Sequence, residues 1–258
     1  MRALAPLLLS AAALAAPAAA QDTPEAWISR MAAVAEKPVE TKQSMKFFIR
    51  GTEVTMNSDL LFLDDKHFAI VADIETYWPE QEQRVRTRRR TIGDGKKQWN
   101  EMTNLETGQG RHQEMSFEQV AALSKKDLYQ GKVHPLQQLL VMLDYTDPEE
   151  IAAAGDLLTL TATISEEGKG KLVPMLGGVV PKELIIEIDR KTAFPRSWQI
   201  RRFTGETVLR MDFAEVRFPE PEKIDRARFV FRPAGEIIEP PAEGGAADGD
   251  QPRDQGQE

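Results

Sequence analysis

The sequence predicts an α+β fold built on one large antiparallel sheet, and three observations carry that prediction. Apolar and polar residues alternate over short segments joined by turn residues, first from Thr41 to Met102 and again from Leu157 to Phe231,. Helical spacing is confined to the start and the middle of the chain,. Short strands joined by tight turns imply antiparallel pairing. A sheet of about eight to ten such strands tends to curl, and helices across its open side would enclose an apolar hollow.

The chain opens with Arg2, an apolar run from Leu4 to Ala15, and the small residues Ala18, Ala19 and Ala20. This pattern predicts a secretory signal peptide over residues 1–20, cleaved after Ala20, because the run is too short to span a bilayer. Residues 21–235 are then expected to form the folded domain, exported to the periplasm. The sequence has no cysteine, so neither a disulfide nor a lipid-modified N-terminal cysteine is available, and core burial must supply the stability. From Ala234 to Glu258 seven acidic residues face Arg253 alone among Gly, Pro and Ala. Residues 236–258 are therefore expected to form a disordered acidic tail. Outside these two ends 31 basic residues face 34 acidic ones, and so balanced a charge predicts no nucleic-acid partner.

The elements follow in order. Thr23 as N-cap and Pro24 at the first helical position open an amphipathic helix carrying Trp27, Met31 and Val34, which ends before Pro38,. Met45, Phe47 and Ile49, then Val54, Met56, Ser58, Leu60 and Phe62 beyond Gly51, read as a hairpin,. Asp64 and Asp65 turn the chain into a third strand through Phe68 and Ile74. A fourth strand runs from Arg84 to Ile92, and Gly93 to Gly95 turn it into a fifth through Trp99 and Met102,.

The middle reads as helical. Ser116 and Gln119 have capping-box spacing, Pro135 opens a helix carrying Leu136, Leu139, Leu140 and Leu143, and Asp147 with Pro148 predicts a short third helix closed by Gly155,. Strands resume over Leu157 to Ile164. The next segment sets Leu172, Met175, Leu176, Val179 and Val180 among Gly168, Gly170, Pro174, Gly177 and Gly178, which predicts an apolar, flexible loop,. The last strands carry Leu184, Ile186 and Ile188, then Trp198 and Ile200, then Leu209, Met211 and Phe213, and finally an aromatic strand with Phe229 and Phe231.

Catalytic signatures are missing from the sequence. His67, His112 and His134 lack metal-ligand spacing, and no serine lies in a nucleophile elbow,. There is no cysteine nucleophile and no nucleotide-binding glycine motif,. These readings predict neither a catalytic residue, nor a metal, nor a cofactor. The basic run is a separate matter: alternation sets Arg84, Arg86, Arg88 and Arg90 on one strand face, either to meet anionic groups or to pair with Asp73 and Glu75 next door,. Arg89 points to the other face, with Val85.

In the C-terminal half, IEIDRKTAFPRSWQI with its Asp189 to Pro195 turn, VLRMDFAEVRF and RARFVFRPAG follow one another in a familiar order. In the N-terminal half SDLLFLDDKHFAI and TIGDGKKQW match the order of further strands. With these segments and the leading helix, most of residues 24–235 resembles the periplasmic outer-membrane lipoprotein carriers, the LolA/LolB-like proteins. The resemblance implies an unclosed antiparallel β-barrel capped by helices. It also implies a soluble carrier that shelters acyl chains of lipoproteins or lipids between an inner-membrane donor and an outer-membrane acceptor. Phe47, Ile49, Phe62, Trp99, Trp198, Leu209 and Met211 are the candidate cavity liners, with ordinary core packing as the competing reading for each. Leu172, Met175, Leu176, Val179 and Val180 are the candidate lid or membrane-docking loop. Where the family implies an arginine that latches the lid, this chain has Asp64, and the segment from Ser116 to Asp156 is longer than such carriers need. A second reading is a lipid-sensing or lipoprotein-sensing interaction module of the same fold.

Overall fold

The computed structural model describes residues 22–49, 51–124, 128–129, 131–233 and 236–238. The expected signal peptide and most of the expected tail lie outside the described residues. The helix α1 (Pro24–Ala35) starts as its sequence dictates, with the Thr23 hydroxyl accepting from the Ala26 amide and Pro24 in the first turn. It buries Trp27, Met31 and Val34. Strands β1 (Val39–Ile49), β2 (Thr52–Phe62), β3 (His67–Trp78), β4 (Gln83–Asp94) and β5 (Lys97–Asn104) then form a meander. Gly51 and Gly95 take the left-handed backbone that the hairpin turns require,.

β6 (Gly110–Ser116) continues the meander, a strand that the sparse apolar content of this segment does not announce. Ser116 then caps α2 (Phe117–Leu123) in a complete capping box with Gln119. α3 (Pro135–Leu143) follows, then β7 (Thr146–Ala154) and β8 (Leu157–Ile164), α4 (Glu166–Met175), β9 (Pro181–Asp189), β10 (Pro195–Arg202) and β11 (Thr207–Arg217). A three-residue β12 (Glu236–Ile238) pairs parallel with β6.

The sheet order is β12-β6-β5-β4-β3-β2-β1-β11-β10-β9-β8-β7. Its terminal strands, β12 and β7, do not pair with each other, so the expected unclosed antiparallel sheet with capping helices is the fold observed. One face, here called inner, carries the main core. Leu60, Phe62, Phe68, Leu158, Leu160, Leu184, Ile186, Ile188, Trp198 and Ile200 meet Trp27 and Met31 of α1, Leu136, Leu139 and Met142 of α3, and Leu172 of α4.

Three expectations are corrected. The segment opening at Asp147 and Pro148 is not a helix but the edge strand β7, where Pro148 is tolerated beside a register shift and Glu149 and Glu150 are exposed,. The loop expected over Leu172 to Val180 begins as the helix α4: Ser165 caps it, and Leu172 and the following Leu176 are buried in the main core. Packing of these two leucines outweighs the poor helix propensity of the two glycines and Pro174. Last, Phe229 and Phe231 do not form a strand. The segment from Pro221 to Phe231 crosses the outer face of the sheet, where Ile224 and Phe229 cluster with Leu61 and the Phe231 ring stacks on Trp99 at 4.8 Å.

Candidate functional site

Residues opposite one another in antiparallel strands share a face, so the pairing register maps the inner surface row by row. One row across β11, β1, β2, β3 and β4 is Met211, Met45, Met56, Ile74 and Thr87. The next is Leu209, Phe47, Val54, Thr76 and Val85. Met211 and Leu209 are buried, whereas Met45, Phe47, Val54, Met56, Ile74 and Val85 are only half-buried. The reason lies in helix placement. α1 and α3 pack on each other and on β7, α4 packs on β9, and α2 packs on β5 and β6. Between these helices an apolar strip on β1–β4 stays open to solvent.

The strip continues into open grooves on β4–β6. One, of about 680 Å³, is lined by Thr87, Met102, Asn104, Thr107, Gln109, Gly110 and Arg111. A neighbouring one, of about 380 Å³, is bordered by Arg89, Asn100, Glu101, Met102, Arg111, Gln113 and Met115. Met102 is 44% exposed between them.

The structure sorts the sequence candidates. Phe47 lies on the half-exposed strip, Leu209 and Met211 share its rows but are buried in the main core, and Ile49 pairs with Thr52 at the end of β1. Phe62 and Trp198 share the inner face but are buried among core side chains, Phe62 at the floor of a separate groove beside the β2–β3 turn and His134. Trp99 is on the other face: its neighbours are Phe231 and His112, and its indole N–H donates to Asp94. Alternation alone could have separated Trp99 from Asn100 and Met102, and it could have added Met56, Val54, Ile74 and Val85 to the strip. What the sequence cannot give is which rows the helices cover.

Of the candidate lid, Leu172 and Leu176 are buried, Met175 and Val179 are half-buried, and Val180 is 47% exposed. The α4 end of the molecule also presents Phe203, 65% exposed, with the Lys169 ammonium 5.5 Å from its ring centroid. Gly168 lets α4 approach the chain before β7, since a Cβ there would lie 2.5 Å from the Tyr145 carbonyl oxygen.

Asp64, in the place of the expected latch arginine, organises the β2–β3 turn instead. Its carboxylate accepts from the Lys66 and His67 amides, both at 2.8 Å, and contacts the His67 ring. Partial burial by itself would raise this carboxyl, but those hydrogen bonds outweigh it and hold the carboxyl below its ordinary value. On the outer face Arg88 forks onto Asp73 at 2.7 and 3.0 Å, Arg84 meets Glu75 at 2.7 Å and Arg90 meets Glu101 at 2.8 Å. The Arg88 hydrogen bonds pull the Asp73 carboxyl down. Three members of the arginine ladder are thus spent on carboxylate partners.

No family model matches the sequence, and no curated protein matches it. Solved structures similar to it include LprF from Mycobacterium bovis, at 12% identity and a TM-score of 0.44, covering 77% of this chain and 98% of that one. A LolA superfamily protein from Nitrosomonas europaea aligns at 7% identity and a TM-score of 0.28, over 81% of this chain and 98% of that one. A chain from the MucA/MucB complex of Pseudomonas aeruginosa aligns at 11% identity and a TM-score of 0.35, over 74% of this chain and 56% of that one. This chain therefore spans little more than half of that last protein. Similarities at these identities concern the fold and assign no cargo.

Proposed function

We propose that this protein is a carrier that shelters the acyl chains of lipoproteins or lipids on the inner face of its open sheet, exported to the periplasm and moving its cargo toward the outer membrane. The observation that supports this reading is the half-exposed strip of Met45, Phe47, Val54, Met56, Ile74 and Val85, which lies beside a face packed solid everywhere the helices reach. A methylene fully removed from water gains about 0.8 kcal/mol and one laid on an open strip gains part of that, so an acyl chain would bind there without any catalytic group. An open strip also leaves a route for release, which an enclosed cavity of equal apolarity would not. No helix among the described residues is long and apolar enough to cross a membrane. Donor and acceptor proteins at the two membranes complete the proposal.

The test is solubilisation. Full-length protein is mixed with membranes bearing a triacylated lipoprotein and the membranes are sedimented; the carrier reading expects lipoprotein in the supernatant in proportion to added protein. If the lipoprotein stays in the pellet at every ratio, the reading is wrong. A second reading, a lipid-sensing interaction module, draws on exposed Phe203 and Val180 at the α4 end. It expects an envelope pull-down to recover one membrane protein at stoichiometry, without lipoprotein release.

A further inference from the structure

Methionine sulfur is concentrated where the inner face is open. Met211 on β11, Met45 on β1 and Met56 on β2 stand directly opposite one another in a single row, so neighbouring side chains start about 4.5–5.5 Å apart at their Cβ atoms. The three differ in access. Met211 is buried, and its sulfur accepts a hydrogen bond from the Gln43 side-chain amide at 3.0 Å. Met45 and Met56 are half-buried on the uncovered strip. Met31 and Met142, by contrast, lie fully inside the core. The chain has no cysteine, so thioethers are its readily oxidised sulfur. An aliphatic pair at these two positions would hold an acyl chain and be inert to peroxide; the thioethers add adaptability together with a reactivity that leucine lacks.

We propose that Met45 and Met56 form a paired oxidation site through which hydrogen peroxide switches off acyl binding on the strip. At each residue the sulfur lone pair attacks one peroxide oxygen, the O–O bond breaks, and the other oxygen leaves with both protons as water. Sulfur gives up two electrons to become the sulfoxide, and peroxide takes them. The new oxygen is a strong acceptor, and an acyl chain laid over it would strip away water without offering a hydrogen bond in return. Two such groups would stand side by side in mid-strip, between Met211 and Ile74 in their own row and next to Phe47 and Val54 in the following one. A sulfoxide reductase drawing on a dithiol reverses the change, which makes it a switch. The modification stands on register and exposure alone, whereas its consequence for cargo rests on the carrier reading.

The experiment exposes the full chain to graded hydrogen peroxide, removes the oxidant, maps the oxidised peptides by mass spectrometry and titrates the protein with dansyl-aminoundecanoic acid. Met45 and Met56 should gain oxygen about tenfold faster than Met31 and Met142. The oxidised parent should bind the probe about tenfold more weakly with its near-ultraviolet circular dichroism unchanged, and methionine sulfoxide reductases with dithiothreitol should restore the affinity. Met102, Met115 and Met175 are exposed or half-buried off this row and take up oxygen too, so Met45→Leu/Met56→Leu assigns the effect. That variant should bind as the untreated parent does and keep its affinity through peroxide, since leucine fills a similar volume without the sulfur. Oxidation of Met45 and Met56 no faster than that of Met31 and Met142 overturns the site. Unchanged probe affinity in the oxidised parent, or an equal loss in the double variant, overturns the switch and leaves the carrier reading standing. An untreated parent that does not bind the probe overturns the carrier reading and the switch together.

Discussion

His134 shows how one residue ties helix capping to pH. It precedes α3, and its ring Nδ1 accepts from the Leu136 amide at 3.2 Å; its Nε2 is buried without a partner, and the ring lies 4.7 Å from that of Phe62. Burial pushes its pKa down to about 4, against a small opposing pull from Asp65. A proton that the unfolded chain binds near pH 6.5 is thus refused by the folded one. Stability from this residue is complete above about pH 6.5 and is lost as pH falls toward 4, a difference of roughly 3 kcal/mol. His134→Asn keeps a capping oxygen and removes the titration, so its unfolding free energy should vary less between pH 6.5 and 4 than that of the parent in denaturant titrations. A second contrast separates strip from core. Leu160→Ala, in the fully buried core, should cost about 2–5 kcal/mol, whereas Met56→Asp on the half-exposed strip should cost far less stability and remove lipid binding.

Among the elements, α4 places the heaviest demand on packing. Alanine would favour an isolated helix over glycine by about 1 kcal/mol, yet Gly168→Ala would drive a Cβ to 2.5 Å from the Tyr145 carbonyl oxygen. The clash wins: chemical denaturation should show a loss of about 1–3 kcal/mol, and a stabilised variant would contradict this close approach of α4 to Tyr145. The same helix shows where sequence reasoning stops. The meander from β1 to β5, α1, α3 and β8 to β11 were legible because period-two alternation, caps and turn residues act locally. α4 and β7 were not, because buried Leu172 and Leu176 override glycine and proline in one, and an edge position accommodates Pro148 in the other. The segment from Pro221 to Phe231 looked like a strand because its aromatics alternate, but they pack individually on the outer face. Removing one of them tests this: Phe229→Ala, opening the cluster with Leu61 and Ile224, should cost about 3–5 kcal/mol and leave lipid binding by the intact inner face unchanged.

At the scale of the whole molecule, one sheet face is divided between two tasks. Where α1, α3 and α4 lie on it, the apolar rows form a core; where they do not, the same alternation leaves Met45, Phe47, Met56 and Ile74 half-exposed. Of the half-exposed strip Phe47 was readable from the chain, since alternation fixes which residues share a face. The rest depended on helix placement, under which Phe62, Trp198, Leu209 and Met211 belong to the core, and on register, which put Trp99 on the opposite side. The central claim is that the uncovered strip holds acyl chains, and native mass spectrometry of the protein isolated from a cell envelope without detergent tests it most directly. Adducts whose masses and fragments identify acyl-bearing lipid are expected on the parent and absent from an equally folded Met56→Asp variant. A bare chain mass in the parent, under conditions that preserve a reference lipid–protein complex, would contradict it.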